Sequence, residues 1–314
     1  MHTSITSLDP GTRIDGPYRL RQCLLRRTPQ GRDFILGEVA DASGSIGFVW
    51  WNADAKAHEQ LHQASYVAVK GRAETYRDRL QVVVDEMRPT PAEEVDTAAL
   101  DEPAQVDVDA TWQLLRELIE SVDDAMIRTL LTAILLEDED IAARFREAPA
   151  AVSMHHPWRG GLLAHSVQMA LLATDIAARY PRDLDRSLLI AGALLHDLCK
   201  IYEFDWDGVV EYTTTGNLVG HIAQGSELVG RFADAIPDFP KLTRLKLQHL
   251  ILSHHGEPEW GAVKRPVLAE AMVLHHIDNI DARMEAFTRA IAEPGTGDWT
   301  DFNKVFNTRL FKGG

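Results

Sequence analysis

Ten of the thirteen histidines in this 314-residue sequence lie between positions 155 and 276. Several stand beside acids or glycines: His165 in GGLLAHSV, His196-Asp197 in ALLHDLCK, His221 in LVGHIAQG, His254-His255 in ILSHHGEPEW, and Asp278 in LHHIDNID. Neutral imidazoles and carboxylates are the donors that divalent ions such as Mn²⁺, Fe²⁺, Co²⁺ or Zn²⁺ accept. Adjacent helical residues point about 100° apart, so His196 and Asp197 cannot share one narrow stripe. Asp197 has two oxygens, however, and can bridge to a second ion. A lone histidine on an apolar helix is usually a packing or surface residue. That reading is kept for His58, His62 and His249, and by a small margin for the His275-His276 pair. The ordered set His…His-Asp…His…His-His…Asp on successive helical segments is what points to metal.

Such ligands must be held by rigid elements, and the chain supplies helices for them. From Thr111 onward apolar residues recur at three- and four-residue spacing, as in TWQLLRELIESV and MIRTLLTAILL, and 182–198, 242–253 and 266–292 continue the pattern. The first part reads differently. Segments 18–27, 33–40, 45–51, 66–73 and 80–87 are short, rich in β-branched and aromatic residues, and often alternating. Turn signals at 28–31, 41–44 and 77–79 separate several of them, and 52–64 has helix-forming composition. Five strands with a helix between the third and fourth match the layout of an OB-fold, a small barrel often used to bind oligonucleotides. Residues 91–110 hold acids, prolines and no base, the composition of an extended linker. The expected fold class is therefore multidomain α and β: a five-stranded OB-fold β-barrel at 13–90, an acidic linker at 91–110, and an all-α domain at 111–314.

The barrel segment has the residues to bind a single strand. Phe34, Phe48, Trp50, Trp51, Tyr66 and Tyr76 are interleaved with Arg32, Lys70, Arg72, Arg77 and Arg79, and bases stack on exposed aromatics. Alternation puts Phe48 and Trp50 on one face and Val49 and Trp51 on the other, so about half of these rings belong to packing. Arg32, Phe34, Trp50, Lys70 and Arg72 are the candidates taken for contact with the strand. A net charge of −15 argues at first against a polyanionic partner. The charge is local, however: 13–90 carry 12 Lys and Arg against 10 Asp and Glu, whereas 91–150 carry 4 against 16. Cys23 and Cys199 form no CxxC pair, which fits a reducing cytoplasm. No secretory signal is visible, and the longest apolar stretch, Ser187 to Leu195, falls short of the roughly 18 residues that span a bilayer.

His165, His196-Asp197 and Asp278 resemble the defining pattern of the HD superfamily of metal-dependent phosphohydrolases. The wider wording is similar to the YhaM-type 3′-to-5′ exoribonucleases, which join an N-terminal OB-fold to an HD domain. The matching stretches are HHPWRGGLLAHSV, LLIAGALLHDLCK, YTTTGNLVGHI, SHHGEPEWG, HIDNIDA and WTDFNKVF. Cys199 stands where such proteins usually carry glycine, and Arg283 where they carry lysine. The resemblance implies one ion held by His165, His196, Asp197 and Asp278. It implies a second held by His221, His254 and His255, with Asp197 shared. Two ions about 3.5–4 Å apart can clamp a phosphodiester and acidify a bound water, and a mixed imidazole and carboxylate set suits Mn²⁺ or Fe²⁺. Lys200, one turn after His196, could then reach a phosphate oxygen and act with Asp197 in catalysis. Single-stranded RNA or DNA is the expected partner, with no membrane and with further copies of the chain as one option. Two rival readings carry other expectations. A small-nucleotide phosphohydrolase would have no use for the barrel, and a binding protein with an inactive HD domain would have no need of seven ligands.

Overall fold

In the N-terminal part of the computed structural model, the alternating segments curl into a closed barrel. The structure describes residues 2–51, 53–77, 79–100, 106–151, 158–206, 209–292 and 297–313. The strands are β1 (Arg13–Arg27), β2 (Asp33–Asp41) and β3 (Gly44–Trp50), then, after helix α1 (Ala55–His62), β4 (Tyr66–Tyr76) and β5 (Arg79–Thr90). Their order around the barrel is β1-β2-β3-β5-β4, with β3 and β5 parallel and the other neighbours antiparallel. Five strands close only if some bend sharply, and two register shifts do this, one between Leu20 and Gln22 and one between Lys70 and Gly71. At the first, a Cβ on Gly37 would lie 1.8 Å from the Gln22 carbonyl oxygen; only glycine allows so close an approach. Tyr18, Leu20, Ile35, Val39, Val67, Val69 and Val82 fill the core. The strand at β1 begins five residues earlier than expected. Residues 2–12 also pack on the barrel: Ile5 and Leu8 enter its core, and the Ile5 amide donates to buried Asp41 at 2.8 Å.

The stretch expected to be an extended linker differs in its first half. It forms a 3-10 turn at Ala92–Glu94 and a short helix α2 (Thr97–Leu100). Leu100 is buried, and the Ala42 amide donates to the Ala99 carbonyl at 3.0 Å. The chain accordingly divides into one unit of 1–105 with 205–211 and another of 106–204 with 212–314. Acidic composition alone hides the apolar anchor Leu100. Acids at the end of this stretch and beyond it have a structural use as well. Asp107, Asp124 and Asp138 accept amide hydrogens at the starts of α3 (Val108–Glu120), α4 (Ala125–Thr132) and α5 (Glu139–Glu147), where a carboxylate both caps the helix and meets its positive end.

The second unit is helical: α3 to α5, with a π-helical turn at Ala133–Glu137, are followed by α6 (Gly161–Arg179), α7 (Arg186–Leu195) and α8 (Lys200–Glu203). Then come α9 (Thr214–Leu218), α10 (Gly220–Ala235), α11 (Lys241–Ser253) and α12 (Ala269–Ala292). It is not purely α. Short strands β6 (Phe204–Asp205) and β7 (Glu211–Tyr212), at the two ends of the 205–211 segment, pair with each other, and β8 (Trp299–Asn303) and β9 (Thr308–Phe311) pair within the second unit. Helix α6 is long and apolar enough to cross a membrane, but 56% of its apolar window is buried inside the fold, and it packs on α3, α7 and α12. Every residue of α7 from Ser187 to Leu195 is buried. A helix apolar on all sides belongs at the centre of a bundle, and this one delivers His196 and Asp197 there.

Candidate metal centre

The predicted ligands come from five helices or their ends, and they converge. His165 lies in the second turn of α6, and His196 and Asp197 follow the end of α7. His221 opens α10, His254 and His255 follow the end of α11, and Asp278 lies in the middle of α12. Their donor atoms form two triads, His165-His196-Asp197 and His221-His254-His255, each with atoms mutually within 4.8 Å. Asp278 joins the first, with Oδ1 3.4 Å from His165 Nε2 and 3.9 Å from His196 Nε2. Asp197 stands between them. Its Oδ2 faces His196 and His165 Nε2 at 3.4 and 3.7 Å, and its Oδ1 faces His221 and His254 Nε2 at 3.2 and 3.5 Å.

Hydrogen bonds on the far side of the rings decide which nitrogen is available. His196 Nδ1 donates to the Ala193 carbonyl at 2.9 Å and His254 Nδ1 to the Ile251 carbonyl at 2.8 Å. A carbonyl only accepts, so these Nδ1 atoms carry the hydrogens and the inward Nε2 atoms offer lone pairs. His165 Nδ1 is held by Asp281 at 2.7 Å and His221 Nδ1 by Glu203 at 2.8 Å, leaving Nε2 inward in both. Consequently His165 and His196 Nε2 face each other at 3.2 Å. Two acceptors at that distance repel unless a proton or a cation lies between them. Asp197 Oδ1, His221 Nε2, His254 Nε2 and His255 Nδ1 are buried with no hydrogen-bond partner among the described residues. Unpaired buried acceptors are costly, and a divalent ion at each triad would satisfy them. The donor set thus fits metal on the geometry of its own lone pairs.

The electrostatics agree. Burial alone would raise the Asp197 carboxyl, but Lys200 and His196 outweigh it and hold the group well below the usual carboxylate range. Burial alone would lower His165, yet its bonds with Asp278 and Asp281 raise it to about 10, so at neutral pH this ring holds a proton in the place that a bound cation would take. His255 is pushed down to about 4 by burial and then by neighbouring His254, which keeps it neutral with a lone pair to give. Around these rings stand the carboxylates Asp197, Asp278, Asp281 and Glu203, against the single ammonium of Lys200 among the described residues. That excess of negative charge is what bound cations would balance.

Two contributors escape a sequence reading. Asp281 and Glu203 each follow another site residue by one helical turn, Asp278 and Lys200 respectively, and an acid at i+3 is too common to mark a site. Lys200 is not a solvated cation: it is buried, and its Nζ donates to Asp197 Oδ2 at 2.6 Å. His58 and His249 keep structural roles, the first bonding the Cys23 carbonyl at 3.2 Å and the second accepting from the Val267 amide at 3.0 Å. His155 and His156, and the side chain of His62, lie outside the described residues.

The five barrel candidates lie on β2, β3 and β4 and in the turn before β2. Lys70 and Arg72 pair across from Asp15 and Arg13 at the start of β1, whereas Phe34 pairs with Arg26 near its end. Around the other side of the barrel, Val49 pairs with Val83 and Val83 with Arg72, so Arg72 lies two strands away from the residue beside Trp50. Lys70 and Arg72 are also engaged by Glu86 and Glu74. Trp50 packs against the barrel core, because alternation carries it inward with Phe48. The ring left outside is Trp51, 53% exposed and 4.9 Å from Phe34 between centroids. Exposed Arg32 and Arg26 lie near that pair in the sequence and register. This pair offers aromatic faces with cations beside them, and on β4 the exposed Tyr76 ring has the Arg77 guanidinium over it at 5.2 Å.

Comparison with known proteins matches these two regions separately. The HD domain family matches residues 162–283, which include all seven candidate ligands, and the OB-fold nucleic acid binding domain family matches residues 25–90. The barrel and the helical unit thus each contain a region similar to a known domain, an OB-fold nucleic acid binding domain in the first and an HD domain in the second. Among solved structures, one of a replication protein A heterotrimer bound to ssDNA is 21% identical over 26% of this chain and 60% of that one, with a TM-score of 0.20. The second OB-fold domain of replication protein A from Methanococcus maripaludis is 20% identical over 31% of this chain and 99% of that one, with a TM-score of 0.22. The fold of the barrel rests on its strand order and the family match, not on these two likenesses.

Proposed function

We propose that this protein is a metal-dependent 3′-to-5′ exoribonuclease that hydrolyses single-stranded RNA, and ssDNA as a secondary substrate, to nucleoside monophosphates. The observation that carries the reading is Asp197, whose two oxygens face two separate nitrogen triads inside an HD domain attached to a nucleic-acid-binding barrel. Two Mn²⁺ or Fe²⁺ ions bound there would supply Lewis acidity and a water acidic enough to ionise near neutral pH. The chain's own residues do the rest. Lys200 keeps Asp197 anionic, and Glu203 and Asp281 hold His221 and His165 with Nε2 inward. Incubation of the Mn²⁺-loaded protein with 5′-labelled single-stranded RNA should give a ladder that shortens from the 3′ end. An intact strand, alongside turnover of a cyclic or mononucleotide, would replace this reading with that of a small-nucleotide phosphohydrolase.

The strand-binding role of the barrel is tested best by point changes. Val209, from the 205–211 segment, is part of the barrel core, so deleting residues 1–90 would strip it of its packing. Phe34→Ala with Trp51→Ala leaves that core alone. Each stacked base contributes about 1–3 kcal/mol, so the double variant should bind a single-stranded 20-mer at least about ten-fold more weakly. Cleavage of a chromogenic thymidine phosphodiester should stay within about two-fold, since one nucleotide is too short to need the barrel. Equal losses on both substrates would remove the barrel from strand binding.

A further inference from the structure

Beside the metal centre lies an aromatic pair that the ligand set does not use. Trp260, in the loop after α11, is 59% exposed, and one face of its indole lies over the His275 ring at 6.0 Å between centroids and 27° between planes. His275 is fixed in turn. Its Nδ1 donates to the carbonyl of His254 at 2.8 Å, and its ring rests on Gly256, where a Cβ would come within 2.4 Å of it. Gly256 has φ +80°, so the position excludes a side chain on conformation as well as space. The loop is closed by Trp260 and Ala262 amides donating to the Glu257 carbonyl at 3.0 and 3.2 Å. It then passes over His255, where a Cβ on Gly261 would lie 3.2 Å from Nδ1. The exposed indole is thus tied through backbone and ring contacts to His254 and His255.

A tryptophan half in water loses the benefit of burying that surface, and here the surface is held in one orientation beside a phosphate-processing site. We propose that Trp260, seated on His275, is the platform on which the base of the nucleotide at the metal centre stacks. The proposal rests on the phosphodiesterase reading and adds to it the recognition of a nucleobase, as distinct from a bare sugar phosphate. Stacking is tolerant of base identity because every base has a π-face, so the platform admits all four nucleotides. A histidine beneath the indole supports it without competing for its open face.

Calorimetry on the full chain in Mn²⁺, with adenosine 5′-monophosphate and ribose 5-phosphate as the two probes, tests this. The unmodified protein should bind the nucleotide more tightly than the sugar phosphate. Trp260→Ala should weaken the nucleotide about ten-fold and leave ribose 5-phosphate within about two-fold, while Trp260→Phe keeps most of the affinity. Equal affinity of the unmodified protein for the two probes would overturn the platform and leave the phosphate site standing. Equal loss of both probes in Trp260→Ala, or a fall in its molecular mass by light scattering with no selective loss, would also overturn it, assigning Trp260 to loop structure or to an interface. Binding of Mn²⁺ with neither probe would instead overturn the phosphodiesterase reading, and the platform with it.

Discussion

Asp197→Ala should lose both ions and several orders of magnitude of activity, the largest effect of any single change. The carboxylate presents one oxygen to each histidine triad, so its removal takes a ligand from both at once and halves the acid content of the inner site. The same change strips the buried Lys200 ammonium of its partner at 2.6 Å. Breaking a buried ion pair from one side costs about 3–5 kcal/mol, a large part of a domain's stability of about 5–15 kcal/mol. Lost activity in Asp197→Ala alone would therefore confuse misfolding with lost chemistry. Asp197→Ala combined with Lys200→Met removes both charges. It should melt closer to the unmodified protein by circular dichroism, yet still show no metal by elemental analysis and no turnover. Metal content and turnover equal to the unmodified protein in either variant would end the metal reading.

The second large effect separates a two-ion site from a one-ion site. His254→Ala should lower metal content from about two per chain toward one and remove most activity. His254 is almost fully buried, its Nδ1 committed to the Ile251 carbonyl and its Nε2 aimed at Asp197 Oδ1. Its ring lies 4.3 Å from that of His255 and 5.6 Å from that of His221, between centroids. The first triad does not depend on it, because His165 and His196 are oriented by Asp281 and the Ala193 carbonyl. One ion should therefore remain. Trimming the imidazole to a methyl leaves a small polar gap, and the expected fall in stability is about 1–3 kcal/mol, well short of unfolding. One ion per chain at full activity in the unmodified protein, with Mn²⁺, Fe²⁺ and Zn²⁺ alike, would leave only the simpler site of His165, His196, Asp197 and Asp278.

Much of this site is legible in the sequence because metal chemistry narrows the residue types. Histidines and aspartates in the order His165, His196-Asp197, His221, His254-His255, Asp278 name the candidate ligands that the fold brings together. The apolar run before His196 also announces a central helix. The strand segments show by alternation, and five of them with one intervening helix suggest the barrel that the strand order bears out. Composition misleads where a short apolar anchor hides in charge. Leu100 pins the first half of the acidic stretch to the barrel, and Asp107 at its end caps α3. Alternation likewise allowed Trp50 and Trp51 to be on opposite faces, and packing placed Trp50 inside.

The sequence by itself determined which residues can bind metal, the five barrel strands and the main helices, because donor chemistry and periodicity are local properties; α2 and the short strands β6 to β9 are too brief to show a period. Only the tertiary structure decided which nitrogen of each ring faces inward. That depends on a carbonyl one turn back for His196 and His254, and on Asp281, 116 residues away, for His165. It also decided that Lys200 is spoken for by Asp197, that Glu203 steers His221, and that Phe34 and Trp51 meet. Each is a matter of direction and distance between groups far apart in the chain, and those are fixed only when the apolar faces of α6, α7, α11 and α12, and the closure of the barrel, have found their packing.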